Sequence, residues 1–359
     1  MTKSITPSAE EESANEKLAA GARNAVVTCL NVRQGEKAVL IFDRESQTIA
    51  HHFQQQLERA GAQWNALLLE AEAPRPLTHM PESILTALAT ADVSIFAARA
   101  LPGELTARME MMEVVNRCGI RHAHMVNISE KIMRQGMQAD FREIDALSTA
   151  LWKRLQGVKT IRVTTPAGTD LRVQLSPQLR WVKTSGIISP QKWGNLPGGE
   201  VFTSPAQVDG RLVVDGVVGD YLCEKYGILS HTPLILDIKN SRIQHIQSVH
   251  EDLAQEFATY VTTDENSNRV GEFAFGTNLA VTKLIGEILQ DEKRPGIHVA
   301  FGHPYGEHTG QPWTSRTHID CVIQEASVWL DEVKIMTAGK FHREELDWVS
   351  GSFAEVDGK

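Results

Sequence analysis

The first part of the chain alternates two hydrophobic textures. Short runs that are apolar on both faces, AVLIF ending before Asp43, WNALLLE and DVSIFAA, are separated by stretches whose apolar residues recur at helical spacing, from Ser46 to Ala60, Ile84 to Ala89 and Glu104 to Arg117. RHAHMVN and a further helix from about Met137 to Leu155 complete the series. Strands without a polar face, each separated from the next by a helix, predict a parallel sheet covered on both sides. A first helix is expected from Leu18 to Leu30. Residues 1–16, dominated by Ser, Glu, Thr and Pro, read as a disordered lead.

After Gly157 the texture changes. KTIRVTTPAGTDLRVQL reads as a hairpin with Pro166, Ala167 and Gly168 at its tip, and GRLVVDGVVGDYL and TPLILDIKNSRIQHIQS continue the strand-rich pattern. Such runs predict a mainly antiparallel or mixed sheet, with helices at Glu251–Thr259 and Leu279–Gln290. The expected fold class is α/β: an N-terminal parallel-sheet α/β domain over residues 17–156, an α+β domain over 158–341 and a polar tail over 342–359.

Composition narrows the function. A net charge of -9 and a pI near 5.8 argue against a general nucleic-acid binder, which would carry a basic stripe. The N-terminal segment has no apolar core of a signal peptide, and no run approaches the roughly 20 apolar residues of a membrane span. A cytoplasmic protein with no nucleic-acid and no membrane partner is expected. Cys29, Cys118, Cys223 and Cys321 are far apart and form no CxxC pair, against both a structural zinc site and a disulfide framework. Neither GxGxxG nor GxxxxGKS occurs, so nothing points to a nucleotide in the first domain.

Candidate chemistry concentrates between Gly296 and Asp320, where four histidines, a tyrosine and two carboxylates share one short segment. His318 and Asp320 are two residues apart, and in an extended strand both side chains leave the same face. Glu200 sits in NLPGGEVFTSP, at the start of a strand; its bland reading is a surface loop glutamate. Glu272, between Gly271 and the apolar FAF run, would be costly to desolvate unless a metal ion, or an arginine such as Arg269, neutralises it. His298 lies in the buried-looking GIHVAFG, where a lone histidine is more often a core residue with a backbone partner. His303 and His308 read as solvated loop residues. Taken together, Glu200, Glu272, His298, His318 and Asp320 are hard carboxylates mixed with imidazoles, a set that suits zinc, manganese, cobalt or iron. Five such donors exceed the need of one tetrahedral zinc, and a two-metal site would use them all.

These motifs resemble the M29 metallopeptidases of the aminopeptidase T type. The resemblance is carried by GTDL at Gly168–Leu171, NLPGGEVFTSP, VGEFAFGTN, DEKRPGIHVAFG, Tyr305 and THID, with GEKAVLIF in the first domain. It implies that Glu200, Glu272, His298, His318 and Asp320 correspond to ligands of two divalent ions (zinc, cobalt or manganese), with Tyr305 as the catalytic-site tyrosine. It further implies a homodimer that removes N-terminal residues from short peptides, or hydrolyses another small amide. The segment between Tyr305 and His318 is abbreviated relative to that family and carries Trp313.

The rival reading is a mononuclear Fe(II) ring-cleaving enzyme of the dihydroxypyridine dioxygenase type, similar over the His-X-Asp motif, in which His298, His318 and Asp320 form a 2-His-1-carboxylate triad. Those relatives are read as lacking counterparts of Glu200 and Glu272, so the presence of both favours the hydrolase. A third reading, a non-catalytic binding protein with the same fold, would be marked by a lost ligand, and none is lost.

Overall fold

The structure is a computed structural model that describes residues 9–190 and 193–348. The chain divides into two units, one comprising residues up to Phe141 together with Gly186–Gly198, the other Arg142–Ser185 together with residues from Gly199 onward. No helix among the described residues is long and apolar enough to cross a membrane.

The first unit is built on a parallel sheet in the spatial order Gln63–Leu68, Lys37–Phe42, Val93–Ala97, Arg121–His124 and Gly194–Asn195. Val39, Ile41 and Phe96 pack against Ile84, Leu88, Met111 and Val115 from the helices Glu82–Leu88 and Leu105–Cys118. Leu40 and Ile95, which point the other way, are equally buried, as a sheet covered on both faces requires. Just beyond the carboxyl ends of the two central strands, where open α/β sheets commonly bind ligands, the charges are already paired. Arg75 Nη1 donates to Asp43 Oδ2 at 3.0 Å, its Nε donates to Glu104 Oε1 at 2.8 Å, and the Arg99 backbone N–H donates to Asp43 Oδ2 at 2.7 Å.

The structure corrects four expectations. A helix runs from Ala9 to Arg23 where residues 9–16 were expected to be disordered, because AEEESANEKLAAGAR is rich in strong helix formers and buries Leu18 and Ala22. Residues 1–8 lie outside the described residues. The helix expected over Leu279–Gln290 shrinks to Ile288–Asp291, since the Asp291 carboxylate accepts backbone N–H bonds from Ile285, Gly286 and Glu287 and holds that segment in a turn. The helix Phe141–Arg154 packs Leu147 and Leu151 into the core of the second unit, so the change of texture at Gly157 is not where the contacts divide. Finally, the tail expected from residue 342 begins with Leu346 and Trp348 buried in that same core, while 349–359 lie outside the described residues.

The second unit contains two antiparallel sheets of eight and five strands. The five-stranded one runs in the order Asp320 strand (His318–Ile323), His298 strand (Gly296–Gly302), Glu272 strand (Val270–Gly276), Glu200 strand (Glu200–Thr203) and Val182–Thr184. Alternation assigns its faces. Phe273, Phe275, Val299, Phe301, Ile319 and Cys321 join Val163, Leu171, Val208 and Leu212 of the larger sheet in one apolar core, which puts Glu272, His298, His318 and Asp320 on the opposite face.

The register then sets what meets on that face. Glu272, Ala300 and Asp320 are paired in one row, and Phe202, Ala274 and His298 in the next, while Glu200 pairs with Gly276. Ala274, Ala300 and Gly276 leave the room into which the longer polar side chains converge. Gly276 has a second task, since a Cβ there would lie 1.9 Å from the Arg294 carbonyl oxygen and 2.8 Å from the Lys293 carbonyl carbon. Gly276→Ala is therefore expected to lower stability by about 2 kcal/mol or more in denaturant titration and to weaken divalent-ion binding; a variant of wild-type stability would show that this backbone approach is not constrained.

Candidate metal centre

His298 Nε2 is the meeting point of the polar face. It lies 3.3 Å from Glu272 Oε1, 3.5 Å from Glu200 Oε2 and 3.9 Å from Asp320 Oδ1, with 1 % of its side chain exposed. Asp320 Oδ1 is also 3.4 Å from His318 Nε2. Donor atoms of Glu200, Glu272 and His298 all lie within 4.8 Å of one another, and so do those of Glu292, His298 and Asp320. The five donors singled out in the sequence are thus brought to one place, although they are drawn from four strands spread over 121 residues, Glu200 to Asp320.

Two further residues in the cluster carry no assignment in the sequence reading. Lys293 Nζ donates to Glu200 Oε2 at 2.6 Å and is 2.6 Å from Glu292 Oε1. In the sequence, Asp291-Glu292-Lys293 looks like the charged end of a surface helix. The signal that could have found them is the apolar pair Ile288-Leu289 just before and the Pro295-Gly296 turn just after, which leave the run too short for a solvated helix end. Thr184, on the edge strand beside the Glu200 strand, donates its hydroxyl to Glu200 Oε1 at 2.8 Å. Both oxygens of Glu200 are therefore engaged.

The imidazoles are presented differently. His318 Nδ1–H donates to the His303 carbonyl oxygen at 2.9 Å, which orients the ring and turns Nε2 toward the carboxylates. His303, read from sequence as a loop residue, acts here through its backbone, and its ring Nδ1 accepts the Tyr305 backbone N–H at 3.1 Å. His298 Nδ1 is buried with no hydrogen-bond partner, so its ring is held by packing and by what Nε2 faces. Tyr305 adopts a left-handed backbone, φ 48°, a conformation that costs a non-glycine residue on the order of 1 kcal/mol. Its ring stands 4.9 Å from that of His318 and 6.0 Å from that of Phe202.

Charge follows from this crowding. Burial works against a proton on His298, yet Glu272, Asp320 and Glu200 outweigh it and raise its pKa to about 9. For His318, burial is likewise overcome by Asp320 and Glu272, to about 10. Burial raises Glu292 to about 8 and also raises Glu272. In Glu200 burial is outweighed by Lys293 and His298, and in Asp320 by His318, so both sit below the usual carboxylate range. Burial keeps the Tyr305 phenol protonated, reinforced by the nearby carboxylates. A buried cluster of this composition needs a positive charge at its centre. Protonated imidazoles, together with the Lys293 ammonium, supply it in the metal-free chain. A divalent ion would replace those protons, and the free Nε2 of His318 with hard carboxylate oxygens is a donor set that fits one.

A family model described as NicX, 2,5-dihydroxypyridine 5,6-dioxygenase, matches residues 18–343. Among solved structures, the 2,5-dihydroxypyridine dioxygenase from Pseudomonas putida KT2440 superposes with a TM-score of 0.69 at 17% identity, covering 92% of this chain and 99% of that one. Wild-type AmpT from Thermus thermophilus gives 0.66 at 17% identity, covering 91% and 99%. No curated protein sequence matches. At such identity the superpositions show the α/β fold alone, and that fold is common to the dioxygenase and to AmpT, so the M29 resemblance holds at the level of fold. The family match favours the dioxygenase over the hydrolase that the sequence reading favours. The chain carries groups of donors that could hold a metal ion, as a metal-dependent enzyme of this structural type requires, and it belongs to the 2,5-dihydroxypyridine 5,6-dioxygenase (NicX) family.

Proposed function

We propose that this protein is a mononuclear, metal-dependent dioxygenase that opens a small hydroxylated nitrogen heteroaromatic ring, with His298, His318 and Asp320 holding one Fe(II). The observation that carries the reading is the family match, which runs through every residue of the centre, from Glu200 to Asp320. A 2-His-1-carboxylate site would supply open positions at which O2 and a chelating substrate meet.

The chain's own residues suit such a substrate. Phe202 and Tyr305, in edge-to-face contact with centroids 6.0 Å apart, put aromatic surface beside the polar face that a planar ring could pack against. Tyr305, kept protonated, can donate a hydrogen bond to a substrate oxygen but cannot compete as an anion for the ion. Glu272, whose proton affinity burial raises, is the carboxylate available to take the proton of a ring hydroxyl. Glu200, engaged by Thr184 and Lys293, is not.

One observation favours a second reading, a two-metal aminopeptidase acting on short peptides: Glu200, Glu272 and His298 lie within ligand reach of one another, and the fold is also that of AmpT. In that case a bridging water would be the nucleophile. The two readings separate in one assay. Chelator-stripped protein reloaded with Fe(II) should consume O2 in the presence of 2,5-dihydroxypyridine, and protein loaded with zinc should not. Release of amine from aminoacyl amides by the zinc or cobalt form, with no O2 uptake by the iron form, would overturn the dioxygenase. Asp320→Asn should reduce turnover by more than the roughly 10- to 100-fold typical of losing a partner one step removed from the ion, with circular dichroism unchanged.

Ion binding should also depend steeply on pH. His298 and His318 have pKa values raised to about 9 and about 10 in the metal-free centre, so an ion that takes both Nε2 lone pairs displaces two protons. Mn(II) affinity measured by calorimetry should rise with pH across the neutral range, approaching a limit of about 100-fold per pH unit. An affinity flat over that range would remove one or both imidazoles from the ion.

A further inference from the structure

Lys293 occupies ground that a second ion would need. We propose that its ammonium group is a built-in cation that limits this centre to one divalent ion. The inference deepens the one-ion reading above but concerns the count of ions, not the reaction.

The argument starts from what Lys293 bridges. Glu200 belongs with Glu272 and His298 to one possible donor group, and Glu292 belongs with His298 and Asp320 to the other. The Lys293 ammonium takes one carboxylate from each, at 2.6 Å in both cases. Glu200 also accepts from Thr184 through its other oxygen, and an ion placed on Glu200 Oε2 would stand directly against the like charge of Lys293, so a second ion is excluded unless Lys293 leaves. His298, His318 and Asp320 remain as a donor set for one ion, with Glu272 beside it.

Lys293 has nowhere to go. Its side chain is 3 % exposed, and a buried ammonium without its carboxylates would be costly. Its backbone is pinned as well. The Lys293 N–H donates to the Gln290 carbonyl at 2.9 Å, its own carbonyl accepts from the Asn278 N–H at 2.9 Å, and Gly276 passes beneath with no Cβ. A compact charge with three donors on a fixed stem does the electrostatic work that an ion between two carboxylates would do.

The test counts ions. Chelator-stripped wild-type protein, saturated with Mn(II) and passed through a desalting column, should retain one ion per chain by metal analysis, and Lys293→Arg should do the same. Lys293→Met, which keeps the stem and removes the charge, should retain two, with a larger gain in melting temperature on adding Mn(II) than the wild type shows. One ion in both wild type and Lys293→Met would overturn the role of Lys293 while leaving the one-ion reading in place. Two ions in the wild type would overturn both. Where Lys293→Met does not fold without metal, it is refolded with excess Mn(II), alongside Lys293→Gln. Failure of Mn(II) to rescue either variant also counts against the proposal, which holds that an ion can replace the ammonium.

Discussion

Four carboxylates, two imidazoles and one ammonium group lie together beside a single face of a five-stranded sheet, largely shielded from water, and this mutual neutralisation is the constraint on which the second unit depends. A carboxylate such as Glu272 could not be buried there alone. It is tolerated because the strand register brings His298 to 3.3 Å from it and Asp320 into the same row. Register in turn depends on the other face. Phe273, Phe275, Val299 and Phe301 can fill the core only if their neighbours in sequence point into the polar cluster. The apolar packing and the candidate site are two sides of one alternation.

Small residues are as much a part of this arrangement as the donors. Ala274 and Ala300 sit between donors in the paired rows, and Gly276 lets the Lys293–Arg294 backbone approach the sheet. The first unit shows the opposite situation. Beyond the carboxyl ends of its parallel strands Asp43, Arg75 and Glu104 already satisfy one another.

Much of this was legible in the residues. Runs such as AVLIF and DVSIFAA announced the parallel sheet because strands covered on both faces leave no polar alternation. THID announced two donors on one face because a strand repeats every two residues. The partners of those donors were legible only in part. Glu200 stands out because prolines and glycines hold it at the start of a strand, and Glu272 because a carboxylate flanked by glycine and aromatic residues is expensive without a counter-charge, for which the sequence offers an ion or Arg269 but no sign of the positive charge that meets Glu200. It is supplied in part by Lys293, in a run that resembles an ordinary helix end. The helix drawn over Leu279–Gln290 failed for a related reason, since the Asp291 side chain competes for the backbone donors that a helix would use. Long-range pairing of this kind leaves no local periodicity to read.

The fold is shared by the 2,5-dihydroxypyridine dioxygenase and by AmpT, so the fold by itself does not separate a centre for one ion from a centre for two. What separates them is where charge is still missing once Lys293 is counted. Anomalous diffraction from crystals grown with Fe(II) or Mn(II) addresses this most directly. The account predicts one peak, bounded by His298, His318 and Asp320, with Lys293 still between Glu200 and Glu292. Two peaks about 3.5 to 4 Å apart, with Glu200 as a ligand and Lys293 displaced, would contradict it.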